Sequence, residues 1–348
     1  MIDWTRLVLN GLRYSGIAPL LRSRYAGIGA ILMLHRVTDA PRTALGINRH
    51  LAITPAFLDE VLTELRRLGY RFVSMDEVVD RIVTPVAGER FVTVTADDAY
   101  RDNLEEALPV LEKHEAPIAI YVSPGLTSGD IDLWWDLLED VVTRREELYV
   151  TTAEGRKYID CSTPARKAEA YRQIHDFLTA EVREEDRQPI LRDMARLAGI
   201  DHRRPNRETL MTWDEVRRAA AHPLVTIGAH TVSHHNLRRL GEERAWTEMV
   251  DASRIIEVET GEKPKHMAYP YGYESAVGGR EVALAEAAGF TSAVTTRHGV
   301  LHPEHAKHLH ALPRISVNGR YQEVGHLRTM LSGITTPLAN RGKTLVTT

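Results

Sequence analysis

Read for polarity, the chain carries short apolar runs suited to buried strands at Ile31 to Leu34, Arg71 to Val73, Phe91 to Thr95, Ile118 to Val122, Val225 to Gly228, His266 to Tyr269 and Thr291 to Thr295. Most are followed by a helical stretch. Thr54 and Pro55 read as an N-cap and first helical position, Asp59 and Glu60 suit the positive end of that helix, and Gly69 stops it before the next strand. Repeated strand, helix, strand units imply a mainly parallel sheet buried on both faces, either a barrel or an open doubly wound sheet. In both, chemistry gathers at the C-terminal strand ends.

Between Ser123 and Thr226 the rhythm breaks into mostly charged, helical sequence, which predicts an inserted helical subdomain or lid over roughly residues 124–222. In residues 1–26, Trp4, Leu7, Val8 and Leu12 recur near helical spacing between Arg6, Arg13, Arg22 and Arg24. The expected element is a helix packed on the domain, with contact to a membrane surface as the competing reading. Leu338 to Thr348 shows no periodicity and is expected as a loose tail. The organisation is therefore an N-terminal extension over 1–26, a barrel with its insertion over 27–330 and a C-terminal tail over 331–348.

Composition narrows the function. Of 348 residues, 43% are hydrophobic and 26% charged, which excludes global disorder and leaves a sizeable core. A net charge of -4 lacks the basic footprint that nucleic acid requires. The arginines near the N-terminus interrupt any signal-peptide or membrane-spanning run, so a cytoplasmic protein without a transmembrane segment is expected. A single cysteine, Cys161, excludes an intramolecular disulfide and a multi-cysteine zinc site, leaving histidines and carboxylates as metal ligands.

Four strand ends carry groups of that kind. FVTVTADDAY ends in Asp97 and Asp98, a pair that also suits a turn or helix cap. VTIGAHTVSHHNL places His230 and His234 four apart; if the turn opens a helix, both imidazoles share one face and can converge on a metal. HMAYPYGYES runs into Pro270 and Gly272, a turn able to aim a backbone NH inward as an oxyanion hole requires. AILMLHRV ends at His35, which taken alone is more often a hydrogen-bonded structural residue. Together, one aspartate and two histidines can bind a divalent cation while leaving positions for water and substrate. The other aspartate can then be a base, and His35 an acid.

These residues resemble the polysaccharide deacetylase family, the NodB-homology or carbohydrate esterase family 4 group. Thr95-Ala96-Asp97-Asp98-Ala99 is similar to its TFDDG motif, His230-Thr231-Val232-Ser233-His234 fits its H(S/T)xxH motif, and Ala268-Tyr269-Pro270-Tyr271-Gly272 stands at its RxPYG motif. The resemblance spans roughly Ile31 to Val317 and implies a distorted α/β barrel of about seven units. It implies Asp97 as base and Asp98, His230 and His234 as metal ligands. The family usually draws its acid histidine from a C-terminal LxH strand, whereas here Leu32-Met33-Leu34-His35 comes first. That order resembles the circularly permuted branch containing poly-N-acetylglucosamine deacetylases. His35 is accordingly assigned as the acid, and the cluster His298, His302, His305, His308 and His310 is read as a solvated loop.

Three positions depart from the family pattern: Ala96 for Phe, Ala99 for Gly and Ala268 for the Arg that orients the base. Arg314, in LPRISV, is the candidate to replace that arginine. The expected reaction is metal-assisted hydrolysis of an N-acetyl group on an amino-sugar poly- or oligosaccharide or its precursor. Asp97 takes the water proton, the Tyr271 backbone NH holds the oxyanion and His35 protonates the leaving amine. Zinc suits two imidazoles and a carboxylate, and cobalt, nickel or iron also fit. Trp134 and Trp135 could stack on sugar rings or pack in a core. The alternatives are an amide hydrolase acting on a small non-sugar substrate and a carbohydrate-binding protein without turnover.

Overall fold

The computed structural model describes residues 4–16, 21–22, 24–40, 42–43, 45–152 and 154–348. Its strands are β1 (Gly29–Leu34), β2 (Arg36–Val37), β3 (Ala52–Ile53), β4 (Tyr70–Phe72), β5 (Arg90–Asp97), β6 (Ile118–Val122), β7 (Glu147–Thr152), β8 (Gly155–Asp160), β9 (Val225–Ala229), β10 (His266–Ala268), β11 (Ser292–His298) and β12 (Leu312–Ser316). The order β1, β12, β11, β10, β9, β6, β5 returns to β1, closing a parallel barrel rather than leaving an open sheet. β4 pairs with Arg90 to Val92 of β5, below Val94, where β6 begins its own pairing. Almost every residue of β1, β5, β6 and β12 is buried, as strands covered on both faces must be.

Alternation along these strands sorts side chains between the barrel interior and the helical ring. Ile31, Phe91, Ala119, Tyr121, Ala268, Val294 and Leu312 pack together inside, while Leu32, Leu34, Val92, Val94, Ile118 and Ile120 pack outward under the helices. Gly228 also faces inward: a Cβ there would lie 2.4 Å from the Tyr121 ring. The helix Pro55–Arg67 forms as expected, with the Thr54 side chain accepting from the Phe57 NH at 3.0 Å, Pro55 in the first turn and Gly69 at φ +79° after its end. Pro313 and Arg314 interrupt the apolar run of β12, which is why that strand is missed from sequence.

The insertion has a hydrophobic cluster of its own, built on Leu137, Leu138, Val141, Ile174, Leu178 and Leu191. It is not wholly helical. β7 and β8 form an antiparallel hairpin within it, too polar on its exposed face to read as strand. Cys161 is buried in the same cluster.

At the N-terminus the helix Trp4–Tyr14 packs against the helix Val324–Leu331, burying Leu9, while Leu7 and Val8 remain exposed; the Trp4 side chain lies outside the described residues. Two further expectations are corrected. The C-terminal segment is anchored, not loose: it contains the helix Thr335–Ala339, buries Val346 and joins the Val346 carbonyl to His305 Nε2 at 3.1 Å. The C-terminal histidines are not a solvated loop, since His305 is buried, His298 Nε2 contacts Thr335 Oγ1 at 2.7 Å and His310 Nε2 contacts the Phe290 carbonyl at 2.7 Å. Among the described residues no helix is long and apolar enough to cross a membrane.

Candidate active site

Asp97 is the last residue of β5, and alternation from Phe91 points it into the barrel. Arg314 reaches it from β12, with Nη1 donating to Asp97 Oδ1 and Nη2 to Oδ2, each at 2.7 Å. The guanidinium also donates to the Thr295 carbonyl and to Thr95 Oγ1. Arg314 is only 1% exposed, so the fork is enclosed and its geometry fixed. Arg314 thus makes the contact with Asp97 that Ala268, an inward-facing methyl on β10, cannot make. Although burial opposes charge on Asp97, Arg314 outweighs it and holds the carboxyl well below the usual range.

His35 follows β1 directly. Leu34 pairs with Ala96, so the next residue on each strand brings His35 level with Asp97 at the barrel mouth. Its backbone carbonyl accepts from Asn103 Nδ2 at 2.9 Å. Burial lowers the imidazole pKa to about 4 against the opposing charge of Asp97, so the ring is neutral in the free protein. His310 cannot compete for this position, because its contact with Phe290, before β11, places it at the opposite end of the barrel.

Asp98, His230 and His234 are buried together with ligand atoms within 4.8 Å of one another. His234 Nε2 lies 3.3 Å and His230 Nε2 3.6 Å from Asp98 Oδ1. The polar turn opens no helix here: residues 230–236 are irregular, and positive φ at Thr231 (60°) and His234 (50°) swings the second imidazole onto the first. His230 Nδ1 lies 2.7 Å from the Ala268 carbonyl; as the donor it leaves Nε2 free to ligate. Asp98 Oδ1 is buried without a hydrogen-bond partner, so the donor set fits a divalent cation. Burial lowers both histidine pKa values, favouring the neutral form that ligates, while burial and the neighbouring Asp97 raise that of Asp98.

Tyr271, at φ 63°, turns the chain after β10. Its carbonyl accepts from Thr296 Oγ1 at 2.7 Å, and Gly272 is packed so tightly that a Cβ would lie 2.5 Å from the Thr296 nitrogen. Positive φ at non-glycine residues is concentrated in this region: Asp98, Ala99, Thr231, His234 and Tyr271 account for five of the seven described instances. Such outliers persist where surrounding structure enforces a functional geometry. Trp134 and Trp135 are not open sugar platforms: Arg187 covers Trp134 at 4.8 Å, and Trp135 lies 5.0 Å from the His234 ring. Sequence reading also missed Glu248, whose Oε2 accepts from the Ser233 NH at 2.7 Å and steadies the turn that carries His230 and His234. Nothing in its helical surroundings singles out that one glutamate.

Residues 200–293 match the family model for polysaccharide deacetylase, a segment that holds His230, His234 and the Pro270 to Gly272 turn but neither Asp97 nor His35. Solved structures with the same fold include Streptococcus pyogenes deacetylase PplD in complex with acetate, at 19% identity over 86% of this chain and 97% of that one, TM-score 0.55. IcaB from Ammonifex degensii aligns at 18% identity over 88% and 98%, TM-score 0.54. BC0361, a polysaccharide deacetylase from Bacillus cereus, aligns at 15% over 87% and 68%, TM-score 0.54. No curated protein matches the sequence. The resemblance to the polysaccharide deacetylase family carried by ADDA, HTVSH and AYPYG is borne out.

Proposed function

We propose that this chain is a metal-dependent deacetylase that hydrolyses N-acetyl groups of an amino-sugar poly- or oligosaccharide or its precursor. The observation that carries the reading is the enclosed Asp97–Arg314 fork beside the Asp98, His230 and His234 cluster. A binding protein has no use for a separately held carboxylate next to a metal site. A divalent cation held by the cluster, zinc above all, would supply Lewis-acid polarisation of the acetamide and acidify water. Asp97 accepts the water proton, and the Tyr271 NH, which has no acceptor among the described residues, donates to the oxyanion. His35 delivers a proton to the departing nitrogen. Because the ring is neutral beforehand, the proton it delivers is the one Asp97 takes from water, passed to His35 before the C–N bond breaks.

Acetate release from oligomeric, nucleotide-linked and lipid-linked N-acetyl sugars tests the proposal. Metal-dependent release from at least one of them is expected. No release from any by metal-replete protein would sink the reading.

A further inference from the structure

The insertion contributes directly to the two loops that carry the site. Arg187, 3% exposed, donates from Nη1 to the Tyr271 hydroxyl and from Nη2 to Glu184 Oε1, both at 2.7 Å. Glu184, 2% exposed, uses its other oxygen to accept from the Asn236 NH at 2.9 Å, two residues beyond His234. Arg239 Nη1 donates to Glu184 Oε1 at 3.1 Å. The Arg187 guanidinium also lies 4.8 Å from the Trp134 ring and 5.9 Å from that of Tyr271. The chain thus runs from the metal-ligand turn through Glu184 and Arg187 to the turn bearing the oxyanion donor. Both ends hold residues at positive φ, which need outside support.

We propose that Arg187 and Glu184 are positioning residues that lock the His230 to Asn236 and Pro270 to Gly272 turns into one register, and that this is a catalytic purpose of the insertion. Only the kinetic part of the test rests on the deacetylase reading. Hydrogen exchange by mass spectrometry follows peptides spanning both turns in Arg187→Met and Tyr271→Phe; the latter removes the phenol hydroxyl and leaves the Arg187–Glu184 pair intact, so it guards against an unfolded Arg187 variant. Exchange should accelerate at 268–274 in both variants and at 230–236 in Arg187→Met, beyond any uniform rise from lost global stability, with global unfolding little changed in Tyr271→Phe. Unaltered exchange in both turns overturns the proposal.

In the kinetic arm each variant should lower kcat about 10- to 100-fold at near-constant KM and metal content, as loss of outer-sphere support typically does. The double variant should be no slower than the worse single one, because both remove one link. Independent, multiplying losses overturn the proposal. If the native chain hydrolyses no N-acetyl sugar, the deacetylase reading fails, and the exchange measurement still decides whether the clamp exists.

Discussion

At the scale of single residues, the site depends on a buried charge met by a buried charge. Removing Arg314 strands Asp97, so Arg314→Met should cost about 3–5 kcal/mol in denaturant unfolding at neutral pH. The sign with pH follows from the depressed Asp97 pKa: the pair's stabilisation is present in full above the ordinary carboxylate range and lost progressively as pH falls from there toward the depressed value, so the wild-type advantage should shrink in acid. Asp97→Asn should keep its metal by elemental analysis yet lose ~10²- to 10⁴-fold in turnover, the usual worth of a general base. Near-normal turnover in the metal-replete variant would remove Asp97 from that role. Ala99 makes a separate test, because its φ of 52° is left-handed. An L-residue there costs ~1–2 kcal/mol, while glycine forfeits about 0.4–1 kcal/mol of chain entropy. Because Ala99 is fully buried, glycine also forfeits a methyl worth about 0.8 kcal/mol, so Ala99→Gly should stay within about 1 kcal/mol of wild type in urea melts, with activity retained. Asp97, Asp98, His230 and His234 were legible because their residue types and order form a motif. Arg314 was legible only as a candidate, since its partner lies 217 positions away.

At the scale of elements, β1 ends at His35 beside Asp97, whereas His310 precedes β12 at the other end of the barrel. His35→Ala should retain metal and lose acetate release, and His310→Ala should retain both. The reverse pattern in the same assay would return the acid to the C-terminal histidines. Most strands were legible because continuous burial leaves unbroken apolar runs. β12 was hidden by Pro313 and Arg314, and whether the turn at 230–236 opens a helix was left open, because HxxxH spacing cannot reveal backbone with positive φ.

At the scale of the whole molecule, the sequence showed that an insertion interrupts the barrel, because helical periodicity replaces strand runs. It did not show the insertion reaching back to Tyr271 and Asn236, since such contacts leave no local pattern. The C-terminal segment was misjudged for the same reason. His305 holds it through Val346 and has its pKa lowered by burial to about 4. The unfolded chain binds that proton near pH 6.5, so this histidine makes folding less favourable as pH falls from there toward 4. Thermal melts should show His305→Gln losing less Tm than wild type over that interval, even if it starts lower at pH 7. Parallel curves would show that His305 does not titrate in this way.

The placement of β1 between β5 and β12 also sets an order of assembly. During synthesis β1 and β5 emerge early and can find each other, but the other edge of β1 waits for residues 312–316. Until then the nascent chain presents an open strand edge, a template for pairing with another chain. Asp97 meanwhile has no guanidinium to meet it, so the carboxylate resists burial until Arg314 arrives. Closing the sheet and neutralising the Asp97 carboxylate are thus one late event. A ribosome-stalled chain ending before residue 312 should be protease-sensitive at β1, and extension through residue 316 should begin to protect it.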